Sequence, residues 1–213
     1  MSVKKTIGTI GGAGAIACCV AFLPTWEGMD KVAKKDMIGT GHPVTYCYGQ
    51  TDEFGKVKVG TRFTKQECDE KLAESLPKYL AKIEPCVHVD LPDKTMAALL
   101  DASYNAGTSA VCRSPMVALM NAGDIKAGCD AFDGWYVRSD GVVRKGLVAR
   151  RDGEDHGDHR KSEKGLCLEG LREAFVEPEL PPQPISIPIA RPRPAVSIKR
   201  QPPQAACPWW KKC

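Results

Sequence analysis

From Thr6 to Trp26 this chain carries no charged side chain, and Lys4 and Lys5 stand just before that stretch. A helix through it would be about 30 Å long, enough to cross the hydrocarbon core of a bilayer. The run is rich in Gly, Ala and Thr, so its partition into hydrocarbon is weak. It reads as an export segment covering residues 1–25. Its fate is open among cleavage, retention as an anchor, and insertion followed by release. The "AIAC" before Cys18 lacks the usual leucine of a lipoprotein cleavage site.

Ten cysteines, at 18, 19, 47, 68, 86, 112, 129, 167, 207 and 213, point to the same compartment. They are even in number and widely spaced, with no CxxC pair and no Cys/His cluster, which favours disulfides in an oxidising environment over a zinc site. No metal or cofactor is expected. The net charge of +4 is too mild and dispersed for nucleic-acid binding, and 43% hydrophobic residues permit a core. Prolines crowd residues 176–213, which form an extended tail bracketed near its end by Cys207 and Cys213. That leaves residues 26–175 as the folded domain.

Within the domain, residues 26–34 read as a short helix and residues 43–62 as a small ribbon turning at Gly49, Gly55 and Gly60. Thr64, with Glu67 three positions on, forms a capping box that opens a helix to about residue 85. The apolar run from Pro92 predicts a helix stopping at Gly107, and shorter helices follow in 114–124, 124–137 and 146–155. One ribbon followed by helices makes an α+β domain, mostly helical. The polar stretch 152–163, with His156 and His159 among acids, reads as a solvated loop rather than a metal site.

Glu27 and Asp36, nine positions apart, are a candidate carboxylate pair for chemistry at an acetal, one protonated to release a leaving oxygen and one ionised to activate water. Alone the pair says little, since two carboxylates at this spacing are common. Their neighbours say more: Glu-Gly, then Asp, then a Gly/Thr-rich turn into Cys-Tyr-Gly-x-Thr, "LPDKTMAALLDASYNAG", "CRSPMVALMNAGD" and "WYVRSDGVVRKGLVARRDGE", in that order over residues 26–171. This resembles the phage lysozymes of the T4 type, glycoside hydrolase family 24, and within them the lambdoid endolysins of the signal-anchor-release kind.

The resemblance implies a lysozyme-like fold, with a small β-ribbon lobe flanking a glycan-binding cleft. It implies a muramidase that cleaves the β-1,4 bond between N-acetylmuramic acid and N-acetylglucosamine in peptidoglycan and so lyses the host. Carried over, Glu27 is the general acid, Asp36 the second carboxylate and Thr45 the holder of water. The Asp-to-Thr spacing is about three residues longer than the family's, which leaves Thr40 as a rival to Thr45; His42 lies in the extension. Tyr104, Asn105 and Gly107 would line the cleft floor, although Gly107 also caps a helix and Tyr104 can simply pack. Arg150 and Arg151 could bind glycan carboxylates, but on a "GLVARR" helix structural salt bridges are the expected role. Exported relatives imply the disulfides Cys47–Cys68, Cys86–Cys112 and Cys129–Cys167, out of fifteen arrangements that six cysteines allow. A retained segment would bring Cys18 and Cys19 to the periplasm as thiols able to attack a disulfide. The expected setting is the host periplasm, a monomer acting on peptidoglycan strands and held at the inner membrane through residues 6–25 before release. A non-catalytic cell-wall binder on the same scaffold, or a lytic transglycosylase, are the alternatives.

Overall fold

The computed structural model describes residues 11–37, 42–51, 55–135, 138–139, 142–153 and 161–175. The chain divides into a unit Met1–Glu177 and a second, Pro178–Cys213, which with the Pro-rich tail, Cys207 and Cys213 lies outside the described residues. Thr40, His156 and His159 lie outside them as well.

The first described element is helix α1, Gly11–Phe22, which runs on into a 3₁₀ turn at Leu23–Thr25. Ala15, Cys19, Phe22 and Leu23 are buried, the last three in one cluster with residues of the later helices. No described helix is long and apolar enough to cross a membrane. Gly11–Phe22 is, in this state, a helix that packs one face into the domain core and leaves Ala13 and Ala17 exposed. Its small residues allow close approach: a Cβ on Gly14 would lie 2.0 Å from the Asp93 carboxylate.

The expected helix at 26–34 is not formed. Asp30–Lys35 is strand β1, paired antiparallel with β2, Val44–Cys47. Five charged side chains between Asp30 and Asp36 leave only Val32 and Ala33 as apolar residues there, too few for a helix stripe. Val32 instead bridges to Arg62, while Ala33 exchanges backbone bonds with Gly60 and Thr61 and is buried. The ladder satisfies the backbone that a local helix would have satisfied alone.

Helix α2, Lys65–Ile83, has the expected capping box, with both Thr64–Glu67 bonds present. Helix α3, Asp93–Ala106, ends at Gly107, where φ is +88°. Its residues 97–103 are all buried, because α1, α2, the short α4 (Thr108–Cys112) and the last helix surround it. A helix enclosed on every side is the centre of the domain. There follow α5 (Pro115–Asn121), α6 (Ile125–Asp130), a two-residue hairpin of β3 (Arg138–Ser139) and β4 (Val142–Val143), and α7 (Lys145–Asp152).

Helix α8, Glu163–Phe175, has no counterpart among the sequence expectations. Its first residue was read there as the end of a solvated loop, yet Ser162 and Glu163 are buried. The helix lies against α3 so closely that a Cβ on Gly170 would come within 2.7 Å of the Thr95 amide. Lys94 ties the two helices by ion pairs to Glu169 and Glu173. The α+β, largely helical architecture is as the pattern predicted.

All three expected disulfides are present: Cys47–Cys68 joins the ribbon to α2, Cys86–Cys112 joins the end of α2 to α4, and Cys129–Cys167 joins α6 to α8. Cys18 and Cys19 are free. Burial, and then nearby Asp101, pushes the Cys19 thiol well up, so in the folded domain it is a neutral core residue rather than a nucleophile. Cys18 lines a cavity of about 350 Å³ with Phe22, Lys94, Leu166 and Glu169, among others.

Candidate active site

Glu27 is placed by the end of the N-terminal helix. Trp26 and Glu27 both donate their amides to the Leu23 carbonyl, and Trp26 Nε1 donates to the Lys161 carbonyl at 2.9 Å. The turn aims the Glu27 carboxylate at Arg150, whose Nη1 donates to its Oε1 at 2.5 Å. Glu27 therefore follows a helix rather than opening one. Its side chain remains 25% exposed while that of Arg150 is 4% exposed, so one face of the carboxyl meets solvent and the other a buried cation.

Arg150 is itself over-determined. Its Nε and Nη2 donate to the two oxygens of Asp101, each at 2.8 Å, in the bidentate geometry that fixes a guanidinium plane. Burial works against the charge, but Asp101 first, then Glu27 and Glu163, outweigh it and raise the proton affinity of Arg150 further. Arg151, fully buried, bonds Glu163 Oε1, donates from Nη2 to Asn105 Oδ1 at 2.8 Å, and lies 4.9 Å from the centre of the Trp135 ring. The expectation of structural salt bridges for both arginines holds, with one addition: one of the bridges grips Glu27.

Asp36 and Thr45 come from the ribbon. Lys34 pairs with Thr45 and Lys35 with Val44, and the Asp36 amide donates to the Pro43 carbonyl at 2.8 Å, extending the ladder. By the pleat, Asp36 and Thr45 are diagonal neighbours on one face. His42, exposed just before β2, bonds the Asp36 carbonyl through Nδ1 at 3.1 Å. Thr45 Oγ1 reaches the Lys34 carbonyl only at 3.5 Å, so its hydroxyl is weakly committed.

Tyr104 and Asn105 sit at the end of α3. Tyr104 donates its hydroxyl to the Tyr48 carbonyl at 2.7 Å and packs on Tyr79 with ring centres 5.1 Å apart. Tyr48 in turn donates to Asp69 at 2.6 Å, and burial, with Asp69 next, holds its phenol up at about 12. The ribbon, α2 and α3 are thereby tied together behind the site. Asn105 is occupied with Arg151, and Gly107 closes the helix.

Two members of this cluster, Asp101 and Glu163, went unnoticed in the sequence. Asp101 left a trace, as the one charge in an otherwise apolar and small-residue helix face that turned out to be buried. Glu163 left none, because a polar segment separates it from the arginines it meets.

Known proteins resemble this chain in sequence and in fold. The family described as phage lysozyme matches residues 24–154. The SAR-endolysin of Enterobacteria phage P21 is 31% identical over 175 residues, covering 79% of this chain and 97% of the relative. That of Bacteriophage PS119 is 34% identical over 164 residues, covering 75% and 89%. Among solved structures, the endolysin from Escherichia coli O157:H7 phage FAHEc1 superposes with a TM-score of 0.57 at 26% identity, covering 71% of this chain and 91% of that one.

Proposed function

Because this chain belongs to the phage lysozyme family and is a peptidoglycan-hydrolysing endolysin, a glycoside hydrolase, we propose a specific chemistry for it. It cleaves the β-1,4 bond between N-acetylmuramic acid and N-acetylglucosamine, acting as a monomer on glycan strands. Glu27 gives its proton to the leaving sugar oxygen. Asp36, with Thr45 orienting the water, takes the proton that water loses as it attacks the anomeric carbon from the opposite side. An inverting pair of this kind needs about 6.5–9.5 Å between its carboxyls. The observation that carries the reading is the Glu27–Arg150 contact at 2.5 Å, which holds one carboxyl in a fixed orientation at the edge of solvent.

The same geometry supports export and tethering. Glu27 lies five residues beyond the end of α1, so the helix that delivers it cannot lie in a bilayer and in the domain core at once. We propose that residues 6–25 first hold the chain at the inner membrane, inactive because Glu27 cannot reach Arg150. Release to the periplasm lets α1 enter the core and completes the site.

Glu27→Gln tests the chemistry. Glutamine keeps the shape and a contact to Arg150 but has no proton to give, so clearing of chloroform-treated Gram-negative cells should fall by ~10²–10⁴-fold with an unchanged melting profile. Near-wild-type clearing would remove Glu27 from the mechanism. Mass spectrometry of the released muropeptides checks the reaction: reducing ends are expected, and anhydro ends would make the protein a transglycosylase.

A further inference from the structure

The ribbon lobe carries cations that no carboxylate answers. Lys31, Lys35, Lys56, Lys58 and Arg62 are all exposed, and among the described residues none of them has an ion-pair partner. On the helices, by contrast, Lys65, Lys71, Lys94, Lys126 and Lys164 each meet a carboxylate. Residues 30–63 hold six Lys and Arg against four acids. Of those acids, Asp30 is tied to Lys34 and Asp36 is the proposed base of the cleft, while Asp52 and Glu53 lie outside the described residues.

The backbone gathers these cations around β1, which has β2 along one edge and residues 60–63 along the other. The Phe63 amide donates to the Lys31 carbonyl, the Ala33 amide to the Thr61 carbonyl and the Gly60 amide to the Ala33 carbonyl, each at 2.8 Å. Val32 thereby stands opposite Arg62. The turn at Lys58–Thr61 is closed by the Thr61 amide and hydroxyl, both donating to the Lys58 carbonyl. Gly60, at φ +89°, permits that turn, so Val59 is presented on fixed backbone beside the strand. Apolar side chains therefore project among the cations. Val32, Met37 and Val59 are 37%, 73% and 62% exposed, three of the five large hydrophobic residues left exposed among the described residues.

We propose that this lobe is a docking surface for an anionic phospholipid bilayer, used while α1 is packed in the domain. The lysine and arginine stems lie along hydrocarbon with their charges among the phosphates, and the valines enter the interface beside them. Charge alone would suit any polyanion, peptidoglycan included. The exposed Val32, Met37 and Val59 favour lipid, because of the two partners only a bilayer offers hydrocarbon to receive them. The contact uses nothing of α1, so it holds the folded chain at a membrane surface without a spanning helix. Each Lys or Arg near an anionic surface raises the partition about five-fold, so the binding is collective. It is also reversible by salt, which shortens the reach of the charges from about 10 Å at 0.1 M to about 3 Å at 1 M.

The test is co-sedimentation of the purified, disulfide-bonded full chain with vesicles of phosphatidylcholine, with and without phosphatidylglycerol. Binding is expected with the anionic vesicles, and its loss at about 1 M salt. Lys31→Gln, Lys56→Gln and Lys58→Gln combined should weaken it ~100-fold, and Val59→Ser alone several-fold. The substituted side chains are exposed, so melting and the hydrolysis of purified peptidoglycan should stay near wild type. Equal binding to neutral and anionic vesicles, or a triple variant that binds as wild type does, would assign the contact to α1 and overturn the proposal. A triple variant that keeps its vesicle binding but no longer pellets with purified peptidoglycan makes the wall the partner, which overturns it too. Val59→Ser binding equal to wild type overturns the choice of lipid over other polyanions. Should the triple variant fail to fold, Lys31→Gln and Lys58→Gln singly should each lose about five-fold; no loss in either ends the proposal.

Discussion

Arg150 is the residue through which the others act, because a single guanidinium fixes Asp101, Glu27 and the approach of Glu163. Sequence reasoning could name Glu27 and Asp36 by their neighbours, yet it could not see that Arg150 stands against Glu27 across 123 positions. The ribbon residues allow a sharper test. Thr45 stands in β2 opposite Lys34, on the same face as Asp36. Asp36→Asn is expected to lose ~10²-fold or more in clearing rate, as expected for loss of a general base. Thr45→Ala should be impaired and Thr40→Ala nearly normal. If Thr40→Ala proved the damaging change, the extension would lie on the other side of the water-holding threonine.

At the scale of elements, α1 would have two environments to satisfy under the anchor proposal, and in the folded domain Ala15, Cys19 and Phe22 are buried while Ala13 and Ala17 are exposed. Glycine-to-leucine changes would make the segment more apolar, but at Gly14 they would also strike Asp93, and at Gly12 they would crowd Leu80. Loss of lysis from such changes would confuse retention in the membrane with damage to the fold. Ala13 and Ala17 are exposed on the folded helix and avoid the difficulty. Ala13→Leu with Ala17→Leu adds six carbons of hydrocarbon, ~0.8 kcal/mol each in lipid. The double variant should stay in the membrane fraction and delay lysis, while the same protein purified and refolded should clear cells normally. A shortened, soluble wild-type product would end the anchor proposal, since it would mean the segment is removed. Helix α2 shows the opposite case, where Thr64 and Glu67 mark its start and no distant partner is needed.

For the whole molecule, three disulfides link ribbon to α2, α2 to α4, and α6 to α8, with separations of 21, 26 and 38 residues. Loop closure over such spans contributes roughly 3–4 kcal/mol each. Together that is comparable to the ~5–15 kcal/mol by which a domain is stable. Reduction should therefore lower the melting temperature by tens of degrees, read by scanning fluorimetry with and without strong reductant. Melting that ignored reductant would mean that these six cysteines contribute little to the native state. The fold class and the order of the main helices were legible because capping, apolar runs and helix stops are local signals. The pairing of the cysteines was legible only through kinship.

Local stretches of sequence were enough for an uncharged N-terminal segment, a ribbon followed by helices, the capping box at Thr64 and the stop at Gly107, because each follows from residues within a few positions of one another. Glu27 and Asp36 stood out only through the resemblance, whose motifs run along the whole domain. It took the tertiary structure to make Asp30–Lys35 a strand, to start a helix at Glu163, and to set Arg150 between Asp101, Glu163 and Glu27. These depend on partners far away in the chain. A strand of charged residues exists because another strand satisfies its backbone, and a polar residue after a loop is buried because two arginines await it. Burial and charge balance belong to the assembled core, and no local stretch of sequence contains them.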